Sequence, residues 1–218
     1  MSISDLIINI LLPGLWDTVY MVFLSTLYAV LIGFIPAIAL VITDEKGLKP
    51  NRLVNRVLDF IINLLRSFPF IILMIAIIPF TRLISGTSIG RDAAIVPLTI
   101  GAAPFAARVI ESALKEVDKG IIEAAKSIGA STMQIIFRVM LKEALPSIVL
   151  GITLTVISVI GYSAMAGTIG AGGLGDIAVR YGYERFETEI MVYTIIILII
   201  LVQILQSLGN FAYKKLSK

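Results

Sequence analysis

The chain has 218 residues, of which 58% are hydrophobic and 15% charged, with a formal net charge of +3. Ordinary water-soluble domains carry about a quarter charged residues, so this composition excludes that class. Neither Cys nor His occurs, which removes disulfides, thiolate chemistry, imidazole bases and His-held metals together.

Residues 1–16 read as interfacial. The apolar run Leu6 to Leu12 is too short to cross a bilayer, Pro13-Gly14 breaks it, and Trp16 suits the headgroup level. There is no basic n-region and no small-residue cleavage site, so no cleaved leader is expected. Residues 18–43 are free of charge and form the first expected span. A polar, basic loop follows to Arg56. The second span is expected at 59–80, with Arg66 inside it. That arginine either serves a functional site, snorkels toward the interface, or pairs with Asp59 or Asn63; snorkelling is the simplest. The third span is expected at 93–112 and carries Pro97, Gly101, Pro104 and Arg108.

The central loop, about 115–146, is the one long internal stretch that cannot sit in a membrane. A short helix from Lys119 to Ile128 is expected, with Ile121, Ile122, Ala125 and Ile128 on one face and Glu123, Lys126 and Ser127 on the other. Gly129 is placed to turn left-handed and stop it. Ser131 and Gln134 have capping-box spacing for a new helix, and Leu145-Pro146 closes the unit. On periodicity alone the loop reads equally as two amphipathic helices lying on lipid headgroups.

The fourth span is expected at 147–166. Gly161-Tyr162-Ser163-Ala164-Met165-Ala166-Gly167 is its unusual interior. Small residues there suit a helix–helix seam. Alternatively the stretch lines a pathway, with Tyr162 and Ser163 as polar handles and Met165 as a soft, adaptable wall. Gly170-x-Gly172-x-x-Gly175 fits the dinucleotide fingerprint as a string. It lacks the strand that the fingerprint needs before it, so a flexible or re-entrant segment is expected instead. The fifth span, 190–213, ends at Lys214 and Lys215.

Of the 18 Lys and Arg, only Arg82, Arg91, Arg180 and Arg185 fall on the side opposite the central loop, and Arg66 lies within a span. The rest, Lys214, Lys215 and Lys218 among them, share the central-loop side. The positive-inside rule then puts the central loop and C-terminus in the cytoplasm and the N-terminus outside. No internal repeat is evident, against an inverted-repeat transporter. No acidic pair lies deep in a span, against a proton relay, and no P-loop string occurs, so ATP would have to be handled by a partner. Without His, Cys or paired acids, an intramembrane enzyme is disfavoured. A passive channel would have no use for the loop at Glu123 to Gly129.

Glu123-Ala124-Ala125, then Gly129, then a hydrophobic helix closed by Leu145-Pro146 resembles the EAA loop of ABC importer permeases. Arg66-Ser67-Phe68-Pro69-Phe70, Ile77 to Arg82, Gly86 to Gly90, Ala94 to Phe105 and the block Gly161 to Gly175 are similar to the permease subunits of methionine ABC transporters. The resemblance covers about 66–213. It implies an all-α membrane protein with the ABC importer permease fold, in which five transmembrane helices and a cytoplasmic coupling helix form a single domain over 1–218 in a bacterial inner membrane. It further implies a homodimer, two ATPase subunits that bind ATP and Mg, and an external methionine-binding lipoprotein. No cofactor and no catalytic residue is expected in this chain. Ile121, Ile122, Glu123, Ala124, Ala125, Ile128 and Gly129 would couple to the ATPase. Tyr162, Ser163 and Met165 would line the methionine pathway. An importer of another small amino acid or peptide is the alternative. The acidic segment Glu184 to Glu189 matches no motif of the family.

Overall fold

The computed structural model describes residues 3–217, so Lys218 lies outside the described residues. Every described regular element is helical. Helix α1 (Ile3–Leu6) runs through a π-helical turn (Ile7–Leu11) into α2 (Leu12–Thr43). The expected break at Pro13-Gly14 does not occur. Pro13 occupies the first turn of α2, where a missing N–H costs little.

At the far end of α2, Asn51 caps α3 (Arg52–Ser67) by accepting the Val54 N–H at 3.1 Å. Asn55 on α3 reaches back and donates to the Leu40 carbonyl at 3.0 Å. These bonds fix the corner between the two helices.

The expected second span is not one straight helix. α3 ends at Ser67, Phe68 is extended, and α4 (Phe70–Ala76) leaves at a bend of 98°. The cause is local. Pro69 pushes the residue before it out of the α region. α5 (Ile78–Ser85) follows, with Pro79 in its first turn.

α6 (Arg91–Lys115) is the central helix and makes its largest contact with α2. Its alanines and Gly101 let neighbours approach closely, and Gly33 of α2 lies against the Ala103 carbonyl and the Ala107 N–H. α7 (Lys119–Ser127) and a run of short pieces, α8 (Thr132–Gln134), a π turn (Ile135–Met140) and α9 (Leu141–Glu143), carry the central loop. α10 (Leu145–Gly167) starts with Pro146 in its first turn, so that proline opens the next helix as well as closing the loop. α10 packs on α6, α2 and α12 (Thr188–Leu216).

Among the described residues, four helical segments are long and apolar enough to cross a membrane: Ile7–Thr43, Arg91–Lys115, Leu145–Gly167 and Thr188–Leu216. The bent pair α3–α4 makes up to five.

The glycine-rich stretch after α10 is folded back and packed. α11 (Gly173–Ile177) has Gly173, Leu174, Gly175 and Ile177 buried. The Leu174 N–H donates to the Thr18 hydroxyl at 2.8 Å, and that hydroxyl donates to the Gly14 carbonyl at 2.9 Å. The fingerprint-like string therefore follows a helix, not a strand; its Gly170 and Gly172 take positive φ, and its Gly175 serves close packing. A Cβ on Gly175 would lie 2.5 Å from the Ala164 Cα and closer still to the Ala164 carbonyl. Gly167 meets the Asp176 N–H and Gly175 backbone in the same way. Main chain cannot rotate aside. Gly175→Ala is expected to cost about 1–3 kcal/mol by overpacking, read as a lower melting temperature of the purified protein in detergent. An unchanged midpoint would mean that α11 does not sit against α10.

Candidate functional site

The residues singled out from the sequence fall on two surfaces. The first is the end of the molecule that carries α7. Asp118 caps α7, its carboxylate accepting the Gly120 N–H at 2.7 Å and the Ile121 N–H at 3.3 Å. Asp118 is not among the residues singled out from the sequence, although an Asp directly before a helix is a strong start signal.

At the other end the Gly129 N–H donates to Lys126 O at 2.9 Å and the Ala130 N–H to Ala125 O at 3.1 Å. That pair is a Schellman motif, and Gly129 has the left-handed φ of +79° it requires. The next helix opens with the expected capping box. The Ser131 N–H donates to Gln134 Oε1 at 2.8 Å, and the Gln134 N–H donates to Ser131 Oγ at 3.3 Å.

The faces of α7 differ from expectation. Ala125 is buried and Ile122 packs beside it against the protein's own core. Ile121 and Ile128 are exposed, the latter at 85%, and Ala124 lies on their side. Ile121, Ala124 and Ile128 are spaced i, i+3, i+7, so they form one outward stripe. The expected single apolar face is thus two faces, one holding α7 to the protein and one left open. Glu123 is exposed. Beside α7 lies a cavity of about 420 Å³, reached by Lys46, Lys119, Glu123 and Lys126.

Below that surface a charge network ties three helices together. Arg108 on α6 contacts Asp59 at 2.7 Å and Asn63 at 3.0 Å on α3, and Glu111 at 2.7 Å. Glu111 also meets Lys115 at 2.8 Å, and Lys115 meets Asp44 at 2.7 Å. The Lys115 ammonium, with the Lys46 N–H, holds the Asp44 carboxyl below the ordinary range. Both partners proposed for Arg66 are therefore taken by Arg108, and the pairing of Arg66 with Asp59 or Asn63 is not found.

The second surface is on α10. Met165 is 46% exposed, and at Gly161 a Cβ would meet nothing within 4 Å. Leu154 is exposed on the same stripe. Tyr162 is half-buried and stacks on Phe70 of α4, ring centroids 4.5 Å apart. Ser163 is elsewhere. It is buried, and its hydroxyl donates to the Ile160 carbonyl at 2.8 Å. Successive helical residues point about 100° apart, so Tyr162 and Ser163 do not share a face, and the expectation that both offer polar handles to one ligand is corrected.

The family model for the binding-protein-dependent transport system inner membrane component matches residues 29–218. The chain belongs to that family. It is 52% identical over 202 residues to the probable D-methionine transport system permease protein MetI of Vibrio cholerae, covering 93% of this chain and 90% of the relative. It is 45% identical over 171 residues to the methionine import system permease protein MetP of Bacillus subtilis, covering 78% and 77%. A chain of the MetNI methionine ABC transporter, solved in inward-facing conformations, superposes with a TM-score of 0.97 at 44% identity over 100% of both chains. The fold is accordingly the all-helical ABC importer permease fold, and the protein is a multi-pass inner-membrane component. An amino acid ABC transporter chain shares the fold at a TM-score of 0.76 and 21% identity.

Gly129 gives a direct test of the α7 surface. A Cβ there would meet nothing within 4 Å, so only backbone strain opposes substitution. Gly129→Val places a β-branched residue at positive φ, a cost of about 1–3 kcal/mol concentrated at the corner. Transport is expected to fall, with uncoupled or weakened retention of the ATPase subunit on purification. Wild-type transport and retention would mean that the Gly129 corner has no part in either.

Proposed function

We propose that this chain is the membrane-spanning subunit of an ATP-driven methionine importer. What carries the reading is the full-length match, at 44% identity, to the permease chain of a methionine ABC transporter. Five spans, with α3–α4 as a bent second one, are few to enclose an amino-acid pathway. A two-fold homodimer doubles them and sets the same surface at the axis twice. Two copies of a separate ATPase subunit bind ATP and Mg and perform the hydrolysis. An external binding lipoprotein delivers methionine. The chain itself needs no cofactor.

α7 is the coupling helix in this reading, lying on the cytoplasmic side with the C-terminus, and the N-terminus lies outside. Ile122, Ala125 and the Gly129 corner fix α7 on the permease. Ile121, Ala124 and Ile128 meet the ATPase, with Glu123 at the rim. The supporting feature is that this apolar stripe is exposed on a rigidly capped helix. Met165 and Tyr162 line the pathway. Ser163 supports the helix from inside.

The test is purification with the ATPase subunit, reconstitution in liposomes with the binding protein, and measurement of methionine uptake and ATP hydrolysis. Uptake that requires ATP, binding protein and both subunits is expected. Uptake without ATP, or none of methionine, would sink the reading.

A further inference from the structure

The cavity at the α3–α4 elbow, about 180 Å³ in volume, is lined by Arg66, Phe68, Phe70, Gly101, Phe105 and Tyr162. Arg66 sits in the last turn of α3, just before the 98° bend, and is exposed. Among the described residues it makes no ion pair or side-chain hydrogen bond. Asp59 and Asn63, the polar groups two turns and one turn back on its own helix, are both held by Arg108. The Asn63 amide is used at both ends, since its NH₂ donates to Asp59 at 3.0 Å. Arg66 thus stands within the bent pair α3–α4, which is apolar enough to cross a membrane, without a counter-charge, which a ligand could supply.

The walls say which kind of anion fits. Phe70 and Tyr162 are locked together by stacking, and a Cβ on Gly101 would lie 2.9 Å from the Phe70 ring. Glycine at that place lets the aromatic pair close over α6. A rigid aromatic surface beside a guanidinium suits a small amphiphile, with a carboxylate on the fork and an apolar tail on the rings. A thioether tail is favoured there, because sulfur packs well against aromatic edges.

The geometry points to Arg66 as the group that receives the α-carboxylate of the transported amino acid, with Phe70 and Tyr162 flanking its side chain. This rests on the importer reading and adds to it a specific anchor. One charge-assisted contact without a second fixed charge gives a shallow well, which suits a site that must release its cargo.

Because the chain contains no Cys, the charge at this position can be rewritten chemically. Arg66→Cys permease is reconstituted with its ATPase and binding protein, then treated with methanethiosulfonates carrying an ammonium, a neutral methyl or a sulfonate group. Wild-type permease is treated in parallel to account for thiols on the partners. Methionine uptake by Arg66→Cys should fall about tenfold or more, the worth of one hydrogen bond to a charged group. The ammonium reagent should restore several-fold. The neutral and sulfonate reagents should not, and excess methionine should slow labelling. Basal ATP hydrolysis should stay near wild type. Arg66→Lys, which keeps the charge, should transport better than Arg66→Gln and gives the same comparison if the Cys variant assembles poorly.

Equal uptake in all variants, or rescue by any reagent regardless of charge, would overturn the assignment. Parallel loss of assembly, basal hydrolysis and uptake in Arg66→Gln and Arg66→Lys would instead make Arg66 a structural residue or an anchor for lipid phosphate. Failure of the wild-type complex to take up methionine would sink the importer reading itself, a result distinct from wild-type uptake with an indifferent Arg66.

Discussion

Arg108→Ala is expected to lower the stability of the permease by about 1–3 kcal/mol, the cost of stripping a shared charged partner from part-buried hydrogen bonds. Arg108 is the hub of the network. Its removal frees Asp59 and Asn63 on α3 and leaves Glu111, whose side chain is only 4% exposed, with Lys115 alone. Glu111→Ala should cost less, although Glu111 is the more buried residue. Each cation it releases keeps another carboxylate, Asp59 for Arg108 and Asp44 for Lys115, and both cations retain some access to water. The ranking, not just the sign, is the test. Thermal unfolding of the purified complex in detergent should place Arg108→Ala clearly below Glu111→Ala. The reverse order would mean that Glu111 carries more of the fold than its contacts indicate.

The loss should be local before it is global. α3 makes few contacts apart from those with α6 and α2, and most of its long apolar side chains are exposed within the protomer. With Asp59 and Asn63 released, α3 keeps the Asn51 cap and the Asn55 bond to Leu40 at one end, and toward the other only the buried Ile62 side chain. Since Arg66 lies beyond Asn63 on the same helix, Arg108→Ala should also disturb the elbow cavity.

Where local rules govern the chain, the sequence could be read. The central loop is such a place. A glycine followed by a Ser-x-x-Gln box has few alternatives, and the Schellman corner and the box both stand where spacing put them. Where two elements far apart in sequence compete for one group, it could not. Asp59 and Asn63 lie within reach of Arg66 along one helix, yet Arg108, 45 residues beyond Asn63 and 49 beyond Asp59, takes both. Nothing in a linear pattern ranks a local partner below a distant one.

The bend at Phe68-Pro69 was legible as a proline rule, but hydropathy carried straight through it, because a broken span is as apolar as an unbroken one. The glycine-rich stretch was legible only in part, for a related reason: folding back was one of the two readings expected and flexibility was the other. Glycines that permit flexibility and glycines that permit backbone contact look the same until the opposing helix is present. Ser163 was misplaced by treating three neighbours as one patch, when a helix sends adjacent residues to different sides.

Met165→Trp is expected to abolish methionine uptake, by at least about tenfold, while leaving assembly and basal ATP hydrolysis close to wild type. Met165 is exposed on α10, four residues after Gly161, where a Cβ would meet nothing within 4 Å. That stripe contributes nothing to the protomer's own core, so enlarging Met165 should not disturb folding. It would fill space outside the protomer, open to a partner protomer, cargo or lipid. A thioether side chain is flexible and can move aside for a passing ligand; an indole with two stiff torsions cannot. Met165→Leu supplies the control, since similar volume without sulfur should keep most of the uptake. If Met165→Trp transports normally, the stripe faces lipid. If it fails to assemble, the stripe is a tightly packed dimer seam with no room for cargo. Only loss of uptake with retained assembly and basal hydrolysis puts the methionine route along Gly161 and Met165, beside the Tyr162–Phe70 stack that walls the elbow cavity.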